Sequence, residues 1–276
     1  MRSDFAKLCA VTAITTFFAN AALAGTLDDI KSRGSIRVGV KADSVPSGFL
    51  DSSGNLKGAE IDLAAALAKR LDVKFEPVIV TSANRIEFLQ QRKVDVLVAT
   101  VAASPERGRV VDLIKPPYAV AGTNIAALKS KRFSAWTDLK GRILCGQQGS
   151  TFNKWVEQTY GAKTVSFPTI DDAFAALRAG NCEAFVYNDK VLSFGTSGAS
   201  WADYEIPLPS EFPQFHSMVV RKGDGESDLG KFLSDTIISW AQSGELNAFY
   251  SKWNTSADDP KLGASNQEYK AALVRK

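Results

Sequence analysis

Residue types that could bind a small anion are concentrated in one stretch, TSANRIEFLQQRKVDVLVATVAASPER. Its second half reads as a buried strand that ends in small residues. Ser104 and Pro105 follow, and they suit the N-cap and the first turn of a helix. The free N–H groups at such a helix start, flanked by the guanidinium groups of Arg85 and Arg107, are suited to a carboxylate. The same pattern also fits an ordinary strand, loop and helix with two surface arginines.

Patterns for catalysis or metal binding are weaker. His216 is the single histidine of the chain, and we interpret it as structural because the sequence places no base or nucleophile beside it. The Cys, His and Asp residues do not have the spacing of metal ligands, and no Gly-rich run has the pattern of a phosphate-binding loop. We therefore predict no metal and no cofactor.

The composition indicates a globular protein of two domains or lobes. The 276 residues are 45% hydrophobic and 23% charged, which is enough for a sizeable core. The net charge is +3, and Lys and Arg are scattered among acidic residues instead of forming a basic run. This distribution argues against nucleic acid as a partner and fits a small anionic ligand.

Residues 1–24 have the pattern of a cleavable secretory signal peptide. Arg2 and Lys7 supply positive charge, a mostly apolar run follows, and the sequence ALA at the end has the small–x–small form that signal peptidase cuts. The apolar run is too short for a membrane span; an uncleaved interfacial anchor is the alternative. We predict that the mature protein is periplasmic.

The mature chain would hold two cysteines, Cys145 and Cys182, an even number in an oxidising compartment. Both lie at or near the start of predicted strands, over 144–147 and 183–187. If these strands are neighbours in one parallel sheet, a disulfide is geometrically reasonable. The alternative is two separate buried thiols.

The order of predicted elements is that of two α/β lobes. Strands and helices alternate up to residue 112, and a second α/β unit begins near residue 138. Two extended runs, 119–128 and 215–221, would connect the units. We therefore expect a two-lobed clamshell whose cleft binds a small molecule.

We assign residues 25–121 and 218–255 to lobe 1 and residues 122–217 to lobe 2. Residues 256–276 are polar, and we expect a loose C-terminal tail with at most one marginal helix. Sites in open α/β sheets lie beyond the carboxyl ends of strands. The loops that meet this condition are 41–47, 81–85, 100–107, 147–151 and the region around 188–189.

Seven segments, in order, resemble the signatures of family 3 periplasmic solute-binding proteins, the receptors of polar amino-acid ABC importers. They are TLDDIKSRGSIRVGV, GAEIDLAAALAKRL, KVDVLVATVAASPERGRVVDL, DLKGRILCGQQGST, RAGNCEAFVYNDKVL, VVRKGD and GELNAFYSKW. TSANRIEFLQ and KADSVP are similar to the glutamate/aspartate-binding branch. The resemblance implies the type II clamshell fold with two extended hinge crossings.

The resemblance also implies roles for single residues. Arg107 matches the arginine that holds the ligand α-carboxylate with two parallel N–H groups, which a lysine could not do. Thr100 and Ala102 match positions that give hydroxyl and backbone N–H contacts. Ser150 and Thr151 match the helix start of the second lobe that closes on the same carboxylate, although Ser150 could be only an N-cap.

In the acidic branch, Ser82 and Arg85 match residues that hold the side-chain carboxylate, and Lys41 stands where that branch has an arginine. A solvated loop lysine is the alternative for Lys41. The chain departs from the family at Asn188, where an aspartate usually binds the ligand α-ammonium. Asp189 could take that role if the loop shifts by one residue.

Further departures are small residues at 44, 47, 99 and 102, where the family often has aromatic or hydroxyl residues. These departures weaken the case for an ordinary α-amino acid. Lys41, Arg85 and Arg107, with no certain counter-carboxylate, favour a ligand of net negative charge. Glutamate or aspartate ranks first, and a related dicarboxylate or non-standard amino acid ranks second.

We expect a monomeric, non-enzymatic receptor whose partners are this ligand and an inner-membrane ABC permease. The enzymatic alternative is a periplasmic dehydratase of the cyclohexadienyl or arogenate type, which would need a general acid in the cleft. Glu60, Asp43 and Asp189 are the candidates that we can name. A sensor or adhesin domain is a third alternative.

Overall fold

The computed structural model describes residues 26–274. The predicted signal peptide, residues 1–24, lies outside the described residues. Within 26–274, no helix combines the length and apolar character that crossing a membrane requires.

The helices and strands alternate along most of the chain. The helices are α1 Thr26–Arg33, α2 Ala59–Arg70, α3 Arg85–Gln90, α4 Pro105–Val110, α5 Thr151–Tyr160, α6 Ile170–Arg178, α7 Asp189–Gly195, α8 Asp228–Ser243, α9 Glu245–Ser251 and α10 Ala264–Val274. The strands are β1 Ser35–Val40, β2 Asp43–Ser44, β3 Gly48–Leu50, β4 Leu56–Lys57, β5 Lys74–Ile79, β6 Val96–Leu97, β7 Val111–Leu113, β8 Ala119–Leu128, β9 Ile143–Gln147, β10 Lys163–Phe167, β11 Ala184–Asn188, β12 Tyr204–Glu205, β13 Glu211–His216 and β14 Val219–Arg221.

The first lobe is built on a sheet with the strand order β5-β1-β6-β14-β7. β1 pairs in parallel with both β5 and β6, whereas β14 is antiparallel to β6 and β7. Helix α2 forms because Ile61, Ala64, Leu67 and Ala68 recur at helical spacing, and all four are buried in the core of this lobe. Because β1 and β6 are parallel, their carboxyl ends lie at the same edge of the sheet, where the following loops carry Lys41 and Thr100.

The second lobe is built on a sheet with the order β10-β9-β11-β8-β12, and β13 also pairs with β8. Helix α6 begins in a capping box, because Thr169 accepts from the N–H of Asp172 at 3.0 Å and donates its own N–H to the Asp172 carboxylate at 3.2 Å. Phe174 and Leu177 of α6 are buried in this core. β8 enters the second lobe from the first, and the chain returns from β13 to β14. The predicted clamshell with two extended crossings is confirmed.

The predicted disulfide is also confirmed. Cys145 and Cys182 are bonded, with their Cα atoms 5.5 Å apart. Their strands are parallel neighbours as expected, because β11 pairs with β9 and brings Phe185 opposite Cys145.

The expectation of a loose C-terminal tail is wrong. Helix α10 packs against the first lobe, and Tyr269 is only 2% exposed. The Tyr269 hydroxyl donates to the backbone carbonyl of Tyr118 at 2.9 Å. Lys190 of the second lobe donates to the carbonyls of Ser256 and Asp258 at 2.7 and 2.9 Å. The segment is held by a few isolated anchors, which do not produce a periodic apolar pattern in the sequence.

Candidate functional site

A cavity of about 350 Å³, part of it open to solvent, lies in the cleft between the two lobes. Eight of the ten predicted ligand-binding residues line it: Ser82, Arg85, Thr100, Ala102, Arg107, Ser150, Thr151 and Asn188. The cavity lining does not include the other two, Lys41 and Asp189. The structure thus brings together loops from both lobes, as the positions beyond the strand ends predict.

Arg107 reaches from the first lobe to the second. Ser104, the N-cap of α4, accepts from the N–H of Arg107 at 3.3 Å and so fixes the first turn. The guanidinium donates to the carbonyl of Ala102 at 2.8 Å and to that of Gly149, in the second lobe, at 3.2 Å. Burial, with the nearby Arg85 as a second cause, lowers the pKa of Arg107 to about 9. The group is therefore still cationic at neutral pH.

Arg85 lies deeper, at the start of α3, and only 3% of it is exposed. Its Nη1 donates to the carbonyl of Ala99, whereas its Nε is buried and makes no hydrogen bond to a described residue. Burial lowers the pKa of Arg85. Among residues 26–274, neither Arg85 nor Arg107 has a carboxylate oxygen within ion-pair distance, so neither forms a direct ion pair. Glu60 and Asp43 act on the charge of Arg85 only from a longer distance.

Lys41 lies behind the cavity wall, and the expectation that it contacts ligand is not met. The side chain is completely buried, and Nζ is 3.0 Å from a carboxylate oxygen of Asp43. Nζ also donates to Ser82 Oγ at 3.2 Å and to Gln147 Oε1 at 3.1 Å. A solvated loop lysine, the alternative, is equally wrong. The lysine instead helps to join the two lobes.

Gln147, at the end of β9, is the centre of this connection. It begins one of the predicted site loops, 147–151, but was not among the predicted ligand-binding residues. Its Oε1 also accepts from Ser82 Oγ at 3.0 Å and from the Tyr187 hydroxyl at 2.7 Å. Its Nε2 donates to Asp43 at 2.9 Å. The position at the carboxyl end of a strand was the signal that could have identified it. The first lobe is thereby hydrogen-bonded to the second across the cleft, and the conformation is closed.

Thr100 and Ala102 present different groups to the cavity. Thr100 has a positive φ of 49°, and its backbone N–H donates to both carboxylate oxygens of Glu60 at 3.0 and 3.1 Å. The N–H of Thr100 is therefore not available to a ligand. Ala102 lies opposite His216 in an isolated antiparallel β-bridge. The hydrogen bonds of this bridge run from the N–H of Ala103 to the carbonyl of Phe215 and from the N–H of Ser217 to the carbonyl of Val101. The N–H of Ala102 consequently donates to no described residue.

The second lobe contributes the start of α5. Ser150 is the N-cap by position, but its hydroxyl donates to Asn153 Oδ1 at 3.0 Å instead of capping the helix. The Thr151 hydroxyl donates to Gln214 Oε1 at 2.7 Å. Gln214 lies on the return strand β13 and lines the cavity, and no local sequence pattern predicts this role.

Asn188 lines the cavity and also caps α7. Its Oδ1 accepts from the backbone N–H groups of Lys190 and Val191 at 3.0 and 3.3 Å. Asp189 is turned away: one carboxylate oxygen accepts from the Ser210 hydroxyl at 2.7 Å. The structure does not bring Asp189 to the cavity lining in this closed form.

The candidate acids for dehydratase chemistry do not face the cavity. Glu60 is completely buried, and it accepts from the Tyr118 hydroxyl at 2.6 Å as well as from Thr100. Burial raises the pKa of Glu60 to about 7. His216 does line the cavity, but burial lowers its pKa to about 3, and the imidazole is neutral. Among the described residues, no group of Cys, His, Asp and Glu side chains could hold a metal ion.

Comparison with known proteins places this geometry in a family. The glutamate/aspartate import solute-binding protein of Salmonella typhimurium is 28% identical over 253 residues, which are 87% of this chain and 83% of that protein. The crystal structure of the cysteine-binding protein from Campylobacter jejuni has a TM-score of 0.77 at 29% identity, and the match covers 87% of this chain and 95% of that one. An ancestral amino acid-binding protein, described as a precursor of cyclohexadienyl dehydratase, has a TM-score of 0.75 at 30% identity and covers 83% of this chain and 99% of that chain.

The family model for bacterial extracellular solute-binding proteins, family 3, matches residues 36–256. This match spans both lobes and every residue that lines the interlobe cavity. The chain therefore belongs to family 3 of the bacterial extracellular solute-binding proteins.

Proposed function

We propose that this protein is the periplasmic receptor of an amino-acid ABC importer, and that it binds an acidic amino acid or a related carboxylate between its lobes. The observation that carries the proposal is the pair of cavity-lining arginines, Arg85 and Arg107, whose guanidinium groups contact backbone carbonyls and form no direct ion pair with a carboxylate among residues 26–274. The relatives reported above are named as binding proteins, which supports a binding role and not an enzymatic one.

In this proposal Arg107 binds a ligand carboxylate. Its guanidinium borders the cavity, and the unpaired N–H of Ala102 lies on the same wall. Ser150 and Thr151 line the same space from the second lobe. A planar guanidinium with a free backbone N–H on the same wall suits a carboxylate, because each oxygen accepts more than one hydrogen bond.

Arg85 and Ser82 would hold the other polar end of the ligand. The buried Arg85 Nε has no partner among the described residues, and a donor in this condition costs free energy until a ligand acceptor satisfies it. Ser82 also touches the interlobe network through Gln147. A ligand at Ser82 therefore contacts the groups that hold the cleft closed.

Ligand binding would act on an equilibrium between open and closed forms. A ligand that contacts Arg107 in one lobe and Thr151 in the other gains contacts only on closure, so it shifts the population toward the closed form. An inner-membrane permease would then recognise the closed receptor. The division into residues 25–121 with 218–255 and residues 122–217, a monomeric state and removal of residues 1–24 on export are parts of this proposal.

A thermal-shift screen of the mature protein against amino acids and dicarboxylates tests the proposal. A ligand at about 100 times its dissociation constant stabilises the folded state by about 2.7 kcal/mol. Arg107→Ala should abolish the ligand-induced shift, and Arg107→Lys should restore little of it because the ammonium lacks the planar fork. Arg109→Ala is the matched control, since Arg109 is an exposed arginine on the same helix. A full response from Arg107→Ala would overturn the assignment.

A further inference from the structure

The cavity offers hydrogen-bond donors in excess. The buried Nε of Arg85 and the N–H of Ala102 each lack a partner among residues 26–274. The third such donor is on Asn188: its Oδ1 accepts from two backbone N–H groups, so its Nδ2 is the free end of the amide, and that end makes no hydrogen bond to a described residue. These donors require acceptors on the ligand.

Several acceptors around the cavity are already occupied, and the acceptor nitrogen of the neutral His216 imidazole carries no negative charge. Oδ1 of Asn188 caps α7, Oε1 of Gln214 accepts from Thr151, and the carbonyl of Ala102 accepts from Arg107. Hydroxyl groups such as that of Ser44 can accept a hydrogen bond, but they carry no negative charge. A ligand ammonium would therefore meet no ionised acceptor on the cavity wall formed by the described residues.

The nearby acids serve the protein itself. Asp43 pairs with Lys41 at 3.0 Å and accepts from Gln147. Asp189 accepts from the Ser210 hydroxyl through one oxygen; its other oxygen is buried without a hydrogen bond to a described residue, and Asp189 does not line the cavity. The carboxylate of Glu60 is covered by the Thr100 N–H and the Tyr118 hydroxyl.

The charges of the side chains around the cavity also argue against a ligand with an ammonium group. Arg85 and Arg107 contribute two positive charges, and His216 is neutral. An acidic amino acid has a net charge of −1 at neutral pH and brings an ammonium that must be desolvated without a counter-ion, which is costly. A dicarboxylate without an ammonium has a charge of −2, matches the two guanidinium groups and supplies only acceptors.

We propose that the ligand is a small dicarboxylate that lacks an α-ammonium group, with one carboxylate at Arg107 and the other at Arg85. The donor end of the Asn188 amide then meets a carboxylate, carbonyl or hydroxyl oxygen of the ligand. This inference rests on the proposed carboxylate receptor and specifies its substrate class.

Titration calorimetry on the mature protein with matched ligand pairs tests this. Succinate is compared with L-aspartate, and glutarate and 2-oxoglutarate with L-glutamate, so that each pair differs at the α-carbon. The ammonium-free member should bind at least 10-fold more tightly. Equal affinity, or tighter binding of the amino acid, overturns this inference and leaves the carboxylate receptor intact. If no dicarboxylate and no acidic amino acid binds, both proposals fail.

Asn188→Asp provides a second measurement. An aspartate keeps the acceptor that caps α7 and replaces the Nδ2 donor with a carboxylate oxygen. The ratio of dicarboxylate to amino-acid affinity should fall at least 10-fold in favour of the amino acid. Asn181→Asp, which adds the same charge at an exposed site of the second lobe, should leave the ratio unchanged. An unchanged ratio in Asn188→Asp overturns the role given to this amide.

Discussion

Lys41 Nζ lies 3.0 Å from a carboxylate oxygen of Asp43, in the first lobe and beside the cleft. The pair has a second function, because Asp43 also accepts from Gln147 Nε2 and from the N–H of Ile170, both in the second lobe. The charge of the lysine is thus neutralised within its own loop. Ligand charge is left to Arg85 and Arg107, and the lysine pair stabilises the closed cleft.

Gly149→Ala should weaken ligand binding by blocking closure. Gly149 has a φ of +74°, and a Cβ there would lie 2.5 Å from the backbone oxygen of Ser82 and 2.7 Å from the Cα of Ala83, both in the first lobe. Because the clash exists only when the lobes meet, the affinity measured by calorimetry should fall at least 10-fold.

The control is Gly180→Ala. Gly180 has a φ of +75°, and a Cβ there would have no atom within 4 Å. Both substitutions carry the backbone strain of an alanine at positive φ, about 1–2 kcal/mol, but only Gly149→Ala meets the other lobe. Equal ligand affinities in the two variants would contradict the clash argument.

Much of the site could be predicted from the sequence, because the loops that follow parallel strands must lie at one edge of the sheet. Arg85, Thr100 and Arg107 follow strand ends that a parallel sheet brings to one edge, so their convergence could be predicted. The role of Lys41 could not, because it depends on Asp43 folding back within β2 to form the ion pair. Gln214 approaches from an antiparallel return strand, which no local pattern connects to the cleft.

The fold, like the site, has parts that local sequence patterns predict and parts that depend on long-range contacts. Periodic apolar residues predicted α2 and the two lobes, because the amphipathic spacing of a helix or strand can be recognised within one short segment of sequence. The C-terminal segment lacks such a pattern, and its position depends on long-range contacts of single residues, such as Lys190 with the carbonyls of Ser256 and Asp258. Such long-range contacts cannot be predicted from a short segment of sequence.

Removing the disulfide should destabilise the second lobe. The bond joins Cys145 and Cys182 across 37 residues, and the chain-entropy model gives about 4 kcal/mol for a loop of this length. The double substitution Cys145→Ala, Cys182→Ala should lower the free energy of unfolding in urea by about this amount. A reducing agent should produce a similar loss in the parent protein and no further loss in the double variant. Equal stability of parent and double variant would contradict the prediction.

Glu60 and His216 are two separate buried titratable groups, and they should give opposite pH dependences of stability. Burial raises the pKa of Glu60 from 4.5 to about 7. Its contribution, about 3 kcal/mol, is present below pH 4.5 and is lost as the pH rises through 7. Burial lowers the pKa of His216 from 6.5 to about 3. The contribution of His216 is present above pH 6.5 and is lost as the pH falls toward 3.

The two contributions offset each other between pH 4.5 and 6.5, so single variants are needed to separate them. In Glu60→Gln, which keeps an acceptor for Thr100 and Tyr118, the free energy of unfolding should rise more steeply with pH than in the parent. In His216→Gln it should fall with pH over the same window. Urea unfolding at several pH values measures both slopes. Slopes identical to that of the parent would refute the assignment.

The hydroxyl of Tyr269 should anchor the C-terminal helix α10. It donates to the Tyr118 carbonyl at 2.9 Å, next to the hinge strand β8, and Tyr269→Phe should cost about 1 kcal/mol of unfolding free energy. Tyr250→Phe is the matched control, because the buried Tyr250 hydroxyl has no hydrogen-bond partner among residues 26–274 and its removal should be neutral or stabilising. Urea unfolding distinguishes the two. Equal losses would mean that the aromatic ring, and not the hydroxyl, holds the segment.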